Sequence, residues 1–320
     1  MSGATRPADR RKALLVSAII GFGVFAALGL VAFVAKDRVR ILAVRLLLPS
    51  SRCSSYATRQ TQERLAAEIK TRSKLLRREN GFELWQTPRG MYWIPEGSIS
   101  GLTFTLAEQV RDIYENPEHR VNKGDVVLDC GAAVGVFVRT ALSRGAGRVV
   151  AIEPSPNNVE CLRRNFAREI QSGRVIVYPK GVWNREETLK MRLHQNSVLD
   201  TFVMKDRPEG PETGEVSLPV TTIDRIVEEL GLERVDFVKM DVEGAEQQAI
   251  AGAQAVLLRF QPVLAIATEN LPGDEHRIPE AVKHVNPRYV ATRGSCMPKG
   301  FGVRPEVVYF RVPQARRPTP

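Results

Sequence analysis

From residue 126 onward, short runs rich in Val, Ile and Leu alternate with stretches of helical period, and this alternation limits the folds open to the chain more than any other feature. Residues 126–130 (VVLDC), 148–153 (RVVAIE), 174–182 (RVIVYPKGV), 235–241 (VDFVKMD) and 262–268 (PVLAIAT) have strand composition. Residues 134–143, 157–170, 222–230 and 245–259 carry the spacing of amphipathic helices. Strands that alternate with helices predict an α/β domain with a largely parallel sheet covered on both faces. In such sheets ligands bind beyond the carboxyl ends of the strands. Around this core, 82–94 (FELWQTPRGMYWI) predicts a leading hairpin with a Pro-Arg-Gly turn, and 106–114 a helix. Added strands are expected at 187–195 and 216–221 around a polar loop, and a closing antiparallel pair at 289–292 and 307–312.

A different signal precedes the body. Residues 13–35 (ALLVSAIIGFGVFAALGLVAFVA) run 23 positions without a charge. As a helix this segment would reach roughly 34 Å, enough for a hydrocarbon core of ~30 Å. A cleavable signal would have a shorter apolar region, ~7–15 residues, and a small-residue cleavage site, so an uncleaved transmembrane helix is expected. Flanking positive charges are nearly balanced: Arg6, Arg10, Arg11 and Lys12 before, Lys36, Arg38, Arg40, Arg45 and Arg52 after. The balance leans toward a single-pass protein with a cytoplasmic body. The expected organisation is a basic tail (1–12), a transmembrane helix (13–35), a basic juxtamembrane stalk (36–80) with helical period at 61–80, and a catalytic body (81–320) whose cofactor core is 121–270.

Charge follows the same division. The chain carries +10 overall, yet residues 1–80 hold 16 Lys and Arg against 5 Asp and Glu, so the body is close to neutral. That argues against a nucleic-acid substrate, which calls for a basic patch on the folded body. Cys53, Cys130, Cys161 and Cys296 are scattered with no CxxC, and the four histidines are dispersed. This pattern excludes a disulfide scaffold and gives no support to zinc. Cys130 reads as a small buried apolar residue.

The chemistry collects at the strand ends. The first strand closes in Asp129-Cys130-Gly131-Ala132-Ala133-Val134-Gly135, a tight turn into a helix that lets backbone approach a ligand. The second ends in Glu153-Pro154, about 20 residues on, where an acid can accept hydrogen bonds from ribose hydroxyls. Two nucleoside cofactors compete: a nicotinamide dinucleotide and S-adenosylmethionine. The full GxGxxG is absent, and Asp129 suits an ammonium better than a pyrophosphate, which favours the methyl donor. Gly181-Val182, at the end of the third strand, are assigned to the same mouth. The fourth strand ends in Lys239-Met240-Asp241-Val242-Glu243-Gly244-Ala245-Glu246. Asp241, Glu243 and Lys239, with His194 behind them, are the candidates for removing an acceptor's hydroxyl proton. Glu246 reads as a helix N-terminal charge. No resident metal is assigned; Asp241, Glu269 and Asn270 are the oxygen set that would hold Mg²⁺ if one is used.

The stretches VVLDCGAAVG, VVAIEPSPNNVECLRRN, VTTIDRI, VDFVKMDVEGAEQQAIAGA and PVLAIATEN resemble the FkbM family of S-adenosylmethionine-dependent methyltransferases. Lys-x-Asp-x-Glu-Gly-Ala-Glu after Thr-Ile-Asp is the distinctive part. Ala133 departs from the family, which commonly places Asn there. The resemblance implies a Rossmann-like, seven-stranded class I methyltransferase sheet and O-methylation of a hydroxyl on a sugar, lipid-linked glycan or other small acceptor. It also implies that Asp129, Gly131, Ala132 and Gly135 line the methionine side, Glu153 and Pro154 the ribose, and Asp241 the transferred methyl. The alternatives are an inactive membrane-tethered scaffold of the same fold and, further off, an NAD(P)-dependent oxidoreductase.

Overall fold

A computed structural model describes residues 53–194, 196–197, 200–203, 212–299 and 302–313, with Val39, Ile41 and Leu42. The tail and the apolar segment at 13–35 lie outside the described residues. Among the described residues no helix is long and apolar enough to cross a membrane. Contacts divide the chain into two units, residues 53–297 with 304–320, and residues 1–52 with 298–303. The sheet and the site belong to the former.

In chain order the elements are β1 (Ser55–Tyr56), α1 (Arg59–Thr71), β2 (Lys74–Glu79), β3 (Phe82–Thr87), β4 (Gly90–Pro95), α2 (Ile99–Val110), β5 (Val126–Cys130) and α3 (Val136–Ser143). Then come β6 (Arg148–Ile152), α4 (Pro156–Asn165), α5 (Ala167–Gln171), β7 (Val175–Tyr178), β8 (Gly181–Val182), β9 (Glu187–His194), β10 (Glu212–Thr221) and α6 (Ile223–Glu229). The last are β11 (Phe237–Met240), α7 (Glu246–Ala251), α8 (Gln254–Arg259), β12 (Val263–Ala267), α9 (Asp274–Val285), β13 (Val290–Arg293), β14 (Ser295–Lys299), β15 (Gly302–Pro305) and β16 (Val307–Arg311).

Seven strands form one sheet in the order β13-β16-β12-β11-β5-β6-β7. β7, β6, β5, β11 and β12 run parallel, and β16 lies antiparallel to both β12 and β13. The strand order reverses between β5 and β11, which opens a crevice at their carboxyl ends. Alternation along the strands splits the core by face. Leu128, Cys130, Val150, Ile152, Val238, Met240, Leu264 and Ile266 pack against the helices from α6 to α9. Val127, Val149, Ala151, Phe237 and Ala265 pack with α3, Phe166 and Tyr309 on the other side. Both faces are apolar, so the strands read as near-continuous hydrophobic runs.

Several elements differ from expectation. The helical period at 61–80 ends early: α1 stops at Thr71, the Ser73 hydroxyl donates to the Ile69 carbonyl, and Lys74–Glu79 becomes a strand paired with β3. Asn80 (φ 51°) and Gly81 (φ 79°) make the two-residue turn, a pair whose left-handed backbone suits a hairpin. Residues 53–80, assigned above to the stalk, therefore fold with the catalytic unit. The expected helix at 106–114 is Ile99–Val110 instead, and the one at 245–259 breaks into α7 and α8 at Gly252, where a Cβ would run into the Trp183 carbonyl. The helix at 157–170 likewise divides, at Phe166. α9 has no counterpart in the sequence reading. Cys53 and Cys296 form a disulfide across 243 residues, a pairing the scattered cysteines concealed.

Candidate active site

Register builds the centre of the site. Lys239 on β11 is paired with Asp129 on β5, and Asp129 with Ala151 on β6. Side chains in such a row share a face, so a lysine and an aspartate meet between small neighbours. The Lys239 Nζ lies 3.2 Å from the Asp129 carboxylate and donates to the Gly131 carbonyl at 2.7 Å. Burial lowers the Lys239 pKa, but Asp129 and Asp241 outweigh it, and the net direction is up. Lys239 therefore stays charged and offers no lone pair for a proton. Its contacts hold the glycine turn and neutralise Asp129. Asp129 is fully buried, so its positive partner is Lys239.

The turn after β5 is shaped by close approach. Gly131 (φ 78°) presses on β11: a Cβ there would run into the Asp241 carbonyl oxygen. Gly131 and Ala132 donate to the Ile152 carbonyl at 3.0 and 3.1 Å, tying the turn to the end of β6. Gly135 (φ 91°) precedes α3, where a Cβ would strike the Phe166 ring. Ala133 takes a left-handed φ of 46°, which costs an alanine about 1–2 kcal/mol.

Glu153 answers that turn. Its carboxylate accepts from the Ala133 amide (2.9 Å), the Ser155 amide (2.9 Å) and the Asn158 side chain (3.4 Å). Burial pushes its pKa up to about 7 against those three donors. Pro154 is half-buried beside it. The segment after β9 reaches this corner: the Ser155 hydroxyl pairs with Asp200 at 2.9 Å, and Asn158 donates to the Ser197 carbonyl. The Thr201 hydroxyl donates to the Glu243 carbonyl at 2.8 Å, so the same segment links the ends of β6 and β11. His194, at the end of β9, is buried and its amide donates to Asp200.

At the end of β11, Asp241 accepts from the Tyr114 hydroxyl (2.7 Å) and the Asn270 amide (3.2 Å). Asn270 also donates to Glu246 at 2.8 Å, which in turn accepts from the Val242 amide. Burial, then Asp241, pushes Glu246 up to about 7. Asn270 thus turns its N–H groups, not its oxygen, toward the acids. Among the described residues no group of three or more His, Cys, Asp or Glu is placed to hold a metal ion, and Mg²⁺ gains no support. Glu243 holds a left-handed φ of 55° just before Gly244 (φ 97°), strain of the kind found at functional loops.

The structure thus brings Asp129, Gly131, Ala132, Glu153, Lys239, Asp241 and Glu243 to one crevice. Gly181 and Val182 instead pair with Val220 and Thr221 of β10, and Gly181 leaves room for the Phe202 ring. Sequence reasoning missed Ser155, Asn158, Asp200 and Tyr114. The first two lie in a motif already noted, whereas Tyr114 sits upstream of every motif and meets Asp241 only through packing.

Comparison with known proteins adds to this geometry. Residues 129–286 match the family model described as the methyltransferase FkbM domain. The 31-O-demethyl-FK506 methyltransferase FkbM of Streptomyces tacrolimicus is 27% identical over 156 residues, 41% of this chain and 60% of its own length. The chain therefore spans less than two thirds of that relative. Among solved structures, methyltransferase FkbM from Methylobacillus flagellatus KT aligns over 68% of this chain and 56% of its own at a TM-score of 0.45 and 19% identity. A Streptococcus mutans protein in complex with SAH aligns over 64% of this chain and 96% of its own, with a TM-score of 0.36 and 11% identity.

Proposed function

We propose, this chain being a member of the FkbM methyltransferase family through residues 129–286, that it transfers a methyl group from S-adenosylmethionine to a hydroxyl of a small acceptor. The observation that carries the reading is the mutual fit of the Gly131 turn, the Asp241 backbone and the buried Glu153. Backbone stands where a Cβ would be excluded, and a carboxylate with a lone pair to spare beyond its three donors stands beside it. These residues suit an adenosyl ligand: Glu153 would hold the ribose hydroxyls, and the Gly131 turn would hold the methionine portion. Bound there, the cofactor supplies an electrophilic methyl group.

The chain's own contribution is alignment and exclusion of water. Lys239 holds the Gly131 carbonyl, and so keeps the turn seated against β11. Tyr114 and Asn270 orient the Asp241 carboxylate, which accepts the proton of the acceptor hydroxyl. An oxygen acceptor is favoured by the relative named as a 31-O-demethyl-FK506 methyltransferase. A sugar or lipid-linked glycan is the acceptor class favoured by a membrane-anchored enzyme. Titration calorimetry of the full-length protein in detergent tests the cofactor. Micromolar binding of S-adenosylhomocysteine without binding of NADH is expected. Binding of NADH alone would replace the reading with an oxidoreductase, and binding of neither would leave the inactive scaffold.

The proposal includes anchoring by residues 13–35 as a single-pass helix. Flanking positive charges favour a body on the cytoplasmic face. The Cys53–Cys296 bridge favours the opposite, oxidising side, since disulfides persist there. Alkylation of thiols in intact membranes before lysis separates the two orientations. Free Cys53 and Cys296 support the cytoplasmic body, and a bridged pair supports the other.

A further inference from the structure

Glu153 reaches from the end of β6 to the Gly131 turn, where its Oε2 accepts from the Ala133 amide at 2.9 Å. Its other oxygen, Oε1, accepts from the Ser155 amide at 2.9 Å and from Asn158 Nδ2 at 3.4 Å. A carboxylate offers about four lone-pair sites, shared equally by its two oxygens. Oε1 is therefore filled, and Oε2 has a single site left. A ribose diol brings two hydroxyl donors, so Glu153 in this arrangement can take only one of them.

A second acceptor stands beside it. Asn158, in the first turn of α4, is 1% exposed, and its Nδ2 donates both to Glu153 and to the Ser197 carbonyl at 3.3 Å. Two acceptors on the same nitrogen fix which way round the amide lies. Asn158 Oδ1 is buried and, among the described residues, meets no hydrogen-bond donor. The Ser197 hydroxyl next to it is likewise buried without a partner. Asp200, the other acid at this corner, is joined to Glu153 through Ser155, whose amide goes to Glu153 and whose hydroxyl goes to Asp200. An acceptor buried without a donor costs stability and calls for a partner.

We propose that Asn158 is a second ribose-reading residue: one hydroxyl of the adenosyl ribose donates to Glu153 Oε2, and its vicinal neighbour donates to Asn158 Oδ1. The inference rests on the methyltransferase reading above and refines its assignment of the ribose to Glu153. Both atoms can only accept, so the pair selects a free diol and turns away a ribose that is deoxygenated or methylated at either position.

The test is calorimetry of the full-length protein in detergent with S-adenosylhomocysteine and with its 2′-deoxy and 3′-deoxy analogues. Wild type is expected to bind each analogue about tenfold more weakly than the parent, the loss of one buried hydrogen bond. An analogue that binds as tightly as the parent overturns the proposal, whether or not any variant folds. Asn158→Leu keeps the shape of the side chain, so no hydroxyl can move onto the Oε1 site that the lost amide uncovers. In that variant one analogue should lose its penalty, binding within about twofold of the parent, while the other stays about tenfold weaker. Both penalties kept, or both lost, overturns the division of the diol between Glu153 and Asn158. If S-adenosylhomocysteine itself does not bind the wild type, the methyltransferase reading fails and takes this inference with it.

Discussion

Glu153 and Glu246 both hold a carboxyl in the folded protein at about 7, against an ordinary value of 4.5, because burial disfavours their charge. For an acid raised in this way, the folded state binds more protons than the unfolded one. Its full contribution is present below pH 4.5, falls as pH rises toward 7, and levels off above. Each group would cost up to about 3 kcal/mol across that window. The thermal midpoint of the ligand-free protein is therefore expected to fall between pH 5 and 7.5. Glu246→Gln should flatten the slope, and an unchanged slope would remove Glu246 as its source. Ala133 makes a second residue-scale prediction. Asn tolerates the left-handed backbone that Ala133 adopts, so Ala133→Asn should stabilise by about 0.5–1 kcal/mol in urea unfolding. The Ala133 amide that reaches Glu153 is kept in that variant. A loss of stability would show that the position is constrained by packing rather than by φ.

At the scale of elements, one buried group ties α1 and α2 to residues far along the chain, beside the apolar packing of Leu102 and Leu106 with Val134, Val136 and Cys161. Arg111, which closes α2, donates to Gln62 of α1 at 2.7 Å, to the Ser295 hydroxyl at 2.9 Å and to both oxygens of Glu306. Gln62 returns a bond to the Phe104 carbonyl at 2.8 Å. Arg111→Met would leave Glu306 buried without its partner, and a loss of about 3–5 kcal/mol is expected in chemical denaturation. A loss under 1 kcal/mol would mean that water replaces the guanidinium. Tyr114 follows Arg111 by three residues and meets Asp241, so this variant should also weaken S-adenosylhomocysteine binding. Gly131 is the other element-level constraint. Gly131→Ala sets a Cβ against the Asp241 carbonyl and strains a φ of 78°, so β5 and β11 must part at the crevice. Cofactor binding should be lost before folding is, as read by calorimetry beside a thermal melt.

For the whole molecule, the Cys53–Cys296 bridge closes a loop of nearly the entire catalytic unit. Loop-closure entropy makes long loops the most sensitive to reduction, and loss of the bridge is expected to cost about 2–5 kcal/mol. Cys53→Ser and reduced wild type should show the same lowered melting temperature. Reduction with no effect would mean that the β1–β14 pairing, Ser55 with Ser295 and Tyr56 with Cys296, holds the chain start unaided. Membrane attachment is tested at this scale as well. The full chain should resist alkaline carbonate extraction, and a chain without residues 1–35 should not.

What the sequence determined by itself was the parallel core and the acids at its strand ends. Apolar runs between Val126 and Ala267 are legible because both faces of a central sheet must be buried, so successive positions in β5, β6, β11 and β12 report the same constraint except at Asp129, Arg148 and Lys239. Asp129, Glu153 and Asp241 are legible because they interrupt those runs where a strand meets its turn. Tertiary structure alone decided the rest. The ion pair of Asp129 with Lys239 depends on register between strands over a hundred residues apart in sequence. Tyr114 meets Asp241 and Arg111 meets Glu306 only through the packing of α2 and the turn after it, and no local period records what a buried polar group will meet. The Cys53–Cys296 bridge is of the same kind, since two cysteines 243 residues apart carry no sign of each other until the fold closes between them.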